Sequence, residues 1–358
     1  MRDFQCDCGQ TLYFENTVCT ACQRRLGYEP LRGQMLTLEP VAGEDGSGQW
    51  WRDTRSGEQF RRCFNDTEYQ VCNWLVSNPG HSFCLACSLN DTIPEMDSGY
   101  RALQRRQWWG RLEQAKRRLL YTLLYLGLPV SRKTEQHAGL AFSFLEDQRS
   151  NPFVDEEHVL TGHLDGLITV NLAEADVVNR EQTRQSLGEP YRTLLGHFRH
   201  ESGHYYFNYL LTSEQDLLQF RAVFGDERSD YQAAVQRYYR EPGSVPQGDR
   251  ISAYAALHPL EDWAECWAHY LHMMDCLETA AQVGLLPEPL MTASSPPDIE
   301  KCLTAWLQVS VAMNALNRSM GLRDAYPFVL TAATLNKLRF VHQRIYPSSM
   351  PRQTVASV

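Results

Sequence analysis

The sequence predicts an α+β protein: a mainly helical larger domain preceded by a small cysteine-rich module. Three observations carry this. Eight of the 11 cysteines fall in two clusters before residue 90. Beyond residue 190, runs free of proline repeat apolar residues every three to four positions, the spacing of helices with one buried face. Between the two lies Gly166 to Leu172, a β-branched, partly alternating run that reads as a strand.

The amino end comes first. Cys6-x-Cys8-Gly9 and Cys19-x-x-Cys22 bring four thiolates together in two knuckles, the pattern of a tetrahedral all-cysteine zinc ribbon. A second quartet follows at Cys63, Cys72 and Cys84-x-x-Cys87, with a wider first pair and His81 as an alternative ligand. Closed four-sulfur sites are structural, and in a segment with few aliphatic residues they stand in for a core. Eight clustered cysteines could instead form disulfides. The start Met1-Arg2-Asp3-Phe4-Gln5-Cys6 has no apolar stretch of export type, so metal binding in a reducing cytoplasm is the expectation. This module is expected over residues 1–95, with Val41 to Gly57 as a hairpin or loop between the sites. Cys266, Cys276 and Cys302 read as buried apolar groups.

From Tyr100 a helix is expected through Leu126. It begins with Arg101, Arg105, Arg106, Arg111, Lys116, Arg117 and Arg118 beside Trp108 and Trp109, and ends apolar. That basic stretch reads as a solvated face. Phosphate binding is opposed by the net charge of −9, from 34 Lys and Arg against 43 Asp and Glu, which also argues against nucleic acid and acidic membranes as partners. No run of 18 apolar residues exists, so no transmembrane span is expected. A short mixed sheet is expected around 138–172. Its strand Gly166–Leu172 is either the edge of a substrate cleft or a core strand.

The densest chemistry lies at His200-Glu201-Ser202-Gly203-His204, inside a helix expected from Pro190 to Leu211. Positions i and i+4 stack one turn apart, so His200 and His204 can close on one metal while Glu201 points beside it. Such a motif arises by chance in about one chain in fifty, so a third ligand is required before it means much. Leu260 to His269 offers one. Glu261 and Glu265 stand one turn apart among Trp263, Trp267 and Tyr270, where unpaired carboxylates would be costly. Glu261 is expected to ligate, and Glu265 to accept the free ring N–H of a ligand histidine. His197 shares the helix face of His200 and is expected beside the site rather than in it. Ser202 and Gly203 are small enough to admit another backbone. Further helices are expected at Glu214–Phe224, Glu227–Tyr239, Leu260–Val283 and Pro297–Met320, within a domain spanning 96–350 and followed by a loose tail, 351–358.

These residues carry a resemblance. H-E-x-x-H followed some sixty residues later by E-x-x-x-E resembles the gluzincin branch of the zincin metallopeptidases. More narrowly, HFRHESGHYYFNYL, VFGDERSDY, SAYAALHPLEDWAECWAHYLHMMDCLETA and DAYPFVLT, with the cysteine-rich start, are similar to a bacterial family of zinc-binding metallopeptidases carrying an N-terminal zinc ribbon. The resemblance covers nearly the whole chain. It implies a zincin-like fold and one catalytic zinc besides two structural ones. It also implies hydrolysis of a peptide or protein substrate by a zinc-bound water that Glu201 deprotonates. Tyr254, seven residues before Glu261, resembles the tyrosine that stabilises the oxyanion in gluzincins, with His258 as the alternative. The ribbon implies a protein partner or autoregulation. Two other readings stay open: an interaction protein whose zincin domain no longer cleaves, and a zinc hydrolase of non-peptide amides.

Overall fold

A computed structural model describes residues 2–41, 50–78, 80–96, 101–186, 192–240, 248–291 and 296–347. The expected tail 351–358 and residues 42–49 of the expected hairpin or loop at 41–57 lie outside them. The fold is α+β, and the chain divides into two compact units, Met1–Thr183 and Arg184–Arg352.

The first unit opens with a hairpin, β1 (Phe4–Gln5) and β2 (Thr11–Leu12), whose turn carries Cys6 and Cys8. Gly9 takes φ +87°, which lets the turn close with its N–H on the carbonyl of Cys6. An antiparallel meander follows: β3 (Arg25–Glu29), β4 (Gln34–Pro40), β5 (Trp50–Asp53) and β6 (Gln59–Arg62), then, after the short helix α1 (Phe64–Thr67), β7 (Leu75–Val76). One face of this sheet buries Leu36, Leu38, Phe60 and Leu75. A second cluster packs Phe14, Tyr28, Trp74 and Tyr121 ring to edge, with Phe14 and Tyr28 centroids 4.9 Å apart. The module thus has a real apolar core beside its cysteines, contrary to the expectation that sulfur sites replace one.

Next come α2 (Leu85–Ser88), β8 (Asn90–Thr92) and the long α3 (Ala102–Tyr125). The basic stretch on α3 is only in part a solvated face: Arg101 and Arg111 are exposed, while Arg105, Lys116 and Arg117 are buried. Arg105 is buried against Glu146 at 3.2 Å, Lys116 pairs with Glu113 at 2.8 Å, and Arg118 meets Glu15. Arg111 and Arg117 donate to the carbonyls of Ala175 and Val71. Glu113 stands one turn from Lys116 on the same helix, but the other partners come from distant segments, which a helical wheel cannot reveal. The remaining strands are β9 (Ala141–Leu145), β10 (Gly162–Leu164) and β11 (Leu167–Asn171), followed by α4 (Val177–Ser186). The sheet runs β10-β11-β9-β8, with β11 parallel to β9 and antiparallel to β10. Hydrogen-bonded on both sides, β11 has no free edge for a substrate strand, so the core-strand alternative is the one observed.

The second unit is helical. It comprises α5 (Leu194–Leu210), α6 (Glu214–Phe224), α7 (Tyr231–Arg240), α8 (Pro259–Gln282), α9 (Ile299–Ser319) and α10 (Ala332–Ile345). α5 starts later than Pro190 because the Thr193 hydroxyl accepts from the N–H of Gly196 and caps it. α7 starts later than Glu227 because Asp226 to Ser229 form a turn, after which the Asp230 carboxylate accepts from the N–H of Ala233. The sequence reading marks no helix at α10. Its Lys337 reaches Asp262 of α8 at 2.6 Å, a buried ion pair that fastens α10 to the centre of the unit.

α8 is that centre, with Trp263, Trp267 and Tyr270 fully buried. It meets α5 closely at Gly203, where an added Cβ would stand 3.0 Å from the Ala264 Cα and 3.1 Å from the Trp267 ring. The two indoles seal the contact: Trp263 donates to the Gly203 carbonyl at 2.8 Å and Trp267 to the Ser202 hydroxyl at 3.1 Å. The small residues inside the motif do admit a second backbone. Gly203→Ala gains about 1 kcal/mol of helix propensity but must push the helices apart, an overpacking cost of about 1–3 kcal/mol. A net loss of stability is expected, read as a lower urea midpoint. A raised midpoint would show that the helices yield without cost.

Candidate functional site

Three groups of residues able to hold a metal ion converge among the described residues: Cys6, Cys8, Cys19 and Cys22; Cys63, Cys72, Cys84 and Cys87; and His200, His204 and Glu261. Within each, the ligand atoms lie within 4.8 Å of one another.

In the first cysteine group, Sγ atoms stand 3.6 Å apart for Cys6 and Cys22 and 3.7 Å for Cys8 and Cys19. In the second, Cys72 lies 3.7 Å from Cys84 and 3.6 Å from Cys87. A disulfide needs about 2.0 Å. Four sulfurs at 2.3 Å around a tetrahedral zinc stand about 3.8 Å apart, so the spacing fits that ion. The groups differ in exposure, since Cys8 is exposed and Cys22 half-buried while the second quartet is wholly buried. Buried thiolate charge there meets Arg117. Burial opposes charge on Cys72, yet hydrogen bonds from Cys63, Cys84 and Cys87 and the Arg117 guanidinium hold its thiol well below the ordinary value. Backbone N–H groups of Trp74, Cys84 and Cys87 point at Sγ atoms of Cys72, Cys63 and Cys84 at 3.4–3.5 Å. His81 is exposed and stands outside the quartet.

The third group joins α5 to the first turn of α8. A buried ion pair between Arg199 and Asp275 fastens the two helices along their length. Their crossing at Gly203 then brings Glu261 beside both imidazoles. His200 Nε2 lies 3.0 Å from Glu261 Oε2, and His204 Nε2 lies 3.7 Å from Glu261 Oε1. Ligands at 2.0–2.2 Å around a tetrahedral zinc are separated by about 3.3–3.5 Å, midway between these values. The Nδ1–H of His200 donates to Glu265 Oε1 at 2.7 Å, and Glu265 Oε2 accepts from the Ser252 hydroxyl at 2.6 Å. This commitment decides the tautomer. A neutral His200 then points a bare Nε2 lone pair at a carboxylate oxygen 3.0 Å away, which demands a proton or a cation between them.

The electrostatics agree. Burial works against charge on His200, but hydrogen bonds with Glu261 and Glu265 outweigh it and hold the imidazole well above its ordinary pKa. Burial also opposes charge on Glu261, yet the His200 contact brings its carboxyl down to about 2. Glu201 lies in a different balance. Burial pushes its carboxyl up to about 7, against the pull of His200. Two imidazoles and a carboxylate converge, with a second carboxylate, Glu201, beside them on α5, so the residues present fit a zinc ion.

The other sequence-derived candidates fall as follows. Tyr254 packs its ring edge-on to His200, centroids 5.7 Å apart. His197 lies on α5 outside the converging group. His258 is occupied elsewhere: its Nδ1 accepts from the Leu260 N–H as the N-cap of α8, and its Nε2–H faces the Ser229 carbonyl at 3.0 Å. That corrects its reading as an oxyanion donor, because the buried ring has both nitrogens engaged. Sequence reasoning missed Tyr231 and Ser252. Tyr231 donates its hydroxyl to Glu261 Oε1 at 2.8 Å.

Comparison with known proteins bears on this arrangement. A family model described as "Putative zinc-binding metallo-peptidase" matches residues 105–344. The chain belongs to this family. A zinc-ribbon family model matches residues 3–98, so the metallopeptidase family region follows a ribbon domain. The chain is 43% identical over 352 residues to the uncharacterized protein Rv2568c of Mycobacterium tuberculosis and to the uncharacterized protein Mb2598c of Mycobacterium bovis. Each match covers 96% of this chain and 94% of the relative. No solved structure matches. No helix among the described residues is long and apolar enough to cross a membrane.

Proposed function

We propose that this member of the metallopeptidase family is a zinc-dependent hydrolase that cleaves peptide bonds, with residues 1–95 as a recognition or regulatory module and 96–350 as the catalytic part. One observation carries the reading: His200, His204 and Glu261 offer three ligand atoms within 4.8 Å, with Glu201 on the same turn of α5. These three residues would hold the ion. Bound zinc supplies Lewis acidity, lowering the pKa of water and polarising a carbonyl. Glu201, pushed up to about 7, is matched to take a proton from water near neutrality and to pass it to a leaving amine. Glu265 and Ser252 keep the His200 ring in register. Tyr254 is the proposed donor to the oxyanion. The two cysteine quartets hold structural zincs, and free thiols in that arrangement suit a cytoplasmic setting.

The test uses the full chain. Elemental analysis should find about three zincs per chain, one for each converging group. Digestion of a broad peptide library, read by mass spectrometry, should then yield cleavage that a zinc chelator abolishes. Cleavage of non-peptide amides alone would reassign the substrate class, and an intact library with a captured protein would favour a binding role.

A further inference from the structure

We propose that Tyr231 is a positioning residue for the metal centre: its hydroxyl holds Glu261 Oε1 and so fixes the plane of the carboxylate, with Oε2 turned to the His200 imidazole. This rests on the reading of His200, His204 and Glu261 as a zinc site. The geometry is specific. The Tyr231 hydroxyl donates to Glu261 Oε1 at 2.8 Å, while Oε2 lies 3.0 Å from His200 Nε2. A glutamate has three side-chain torsions and can swing between one-oxygen and two-oxygen ligation. A donor fixed on Oε1 removes that freedom and holds the carboxylate plane.

The donor itself is well anchored. Asp230 caps α7 and places Tyr231 in its first turn. The Tyr231 ring meets His258 edge-on at 5.2 Å, and His258 also engages the carbonyl and hydroxyl of Ser229. His258 is in turn the N-cap of α8, the helix that carries Glu261. Segment 229–231 is therefore keyed to the start of α8 by four contacts, of which the Tyr231 hydroxyl is the one that reaches a ligand atom.

Tyr231→Phe keeps the ring contact with His258 and removes only the hydroxyl. Zinc occupancy is measured on wild type and variant by elemental analysis after equilibration with a graded series of chelators, alongside apo-protein melting. The expected result is weaker binding of the zinc at His200, His204 and Glu261 by about 10–100-fold, with an unchanged apo midpoint and unchanged cysteine-bound zinc. A merely structural tyrosine would move the midpoint and leave the affinity alone. Equal affinity in wild type and variant overturns the inference. A wild type holding only the two cysteine-bound zincs instead overturns the reading of the site on which it rests. Should the phenylalanine variant not fold, Asp230→Ala, which loosens the start of α7 and retains the hydroxyl, must also weaken that one zinc. An unchanged affinity there overturns the inference as well.

Discussion

Glu201→Gln is expected to keep every zinc and lose hydrolysis, with kcat down by about 10²–10⁴-fold, or about 3–5 kcal/mol of transition-state stabilisation. The two side chains have the same shape, so α5 and its crossing with α8 should stand unaltered. Glutamine cannot accept a proton, and residue 201 is not among the converging ligand atoms. Metal content and catalysis should therefore separate. The measurement is zinc per chain together with kcat on the best library peptide. A variant that cleaves at the wild-type rate would remove Glu201 from the chemistry, and one that lost zinc would make it part of the metal's support. The same substitution in a pure binding protein would leave partner capture untouched.

How much of this was readable beforehand depends on the range of the interaction. The pair His200 and His204 is visible because one helical turn makes positions i and i+4 neighbours, and Glu261 and Glu265 are visible for the same reason. Their meeting is a long-range fact, legible only through the cost of burying two acids among Trp263, Trp267 and Tyr270. Gly203 was readable as a close approach, since a glycine within a helix costs stability and calls for a packing reason. Tyr231 was not readable. Its role is one hydrogen bond across 30 residues, and no local pattern marks a tyrosine that will reach a ligand carboxylate. His258, the alternative to Tyr254, drops out for the opposite reason: before Pro259 it stands where an N-cap belongs, and the cap uses its ring. The arginines of α3 show the same limit, because Glu15 and Glu146 neutralise them from segments far along the chain.

Stripping zinc from the two cysteine quartets is expected to unfold their surroundings in the amino-terminal module, and the two sites should empty in order. Structural zinc in four-ligand sites is worth about 10–16 kcal/mol of apparent binding at neutral pH, while whole domains are stable by about 5–15 kcal/mol. The module owns an apolar core at Leu36, Leu38, Phe60 and Leu75, a cluster that includes no residue of α1 or α2. Those two short helices have cysteine N-caps, Cys63 and Cys84, and are four residues long, too short to persist without a tether. With the metal gone, burial pushes the Cys84 thiol, and the Cys63 contact the Cys87 thiol, well above the ordinary value, so these two sulfurs return to the neutral form and the ion that tied the quartet together is lost. A chelator should remove zinc first from the group containing exposed Cys8, and from the buried quartet only as that region opens. Acid should act in the same sense: ligation requires thiolates, so stability conferred by zinc is present at neutral pH and lost as falling pH protonates them. Chelator-dependent zinc release, followed with hydrogen exchange at residues 63–92, reads both steps. Release of both zincs at one rate, or full protection of α1 and α2 in the stripped protein, would show that the apolar core alone holds the module together.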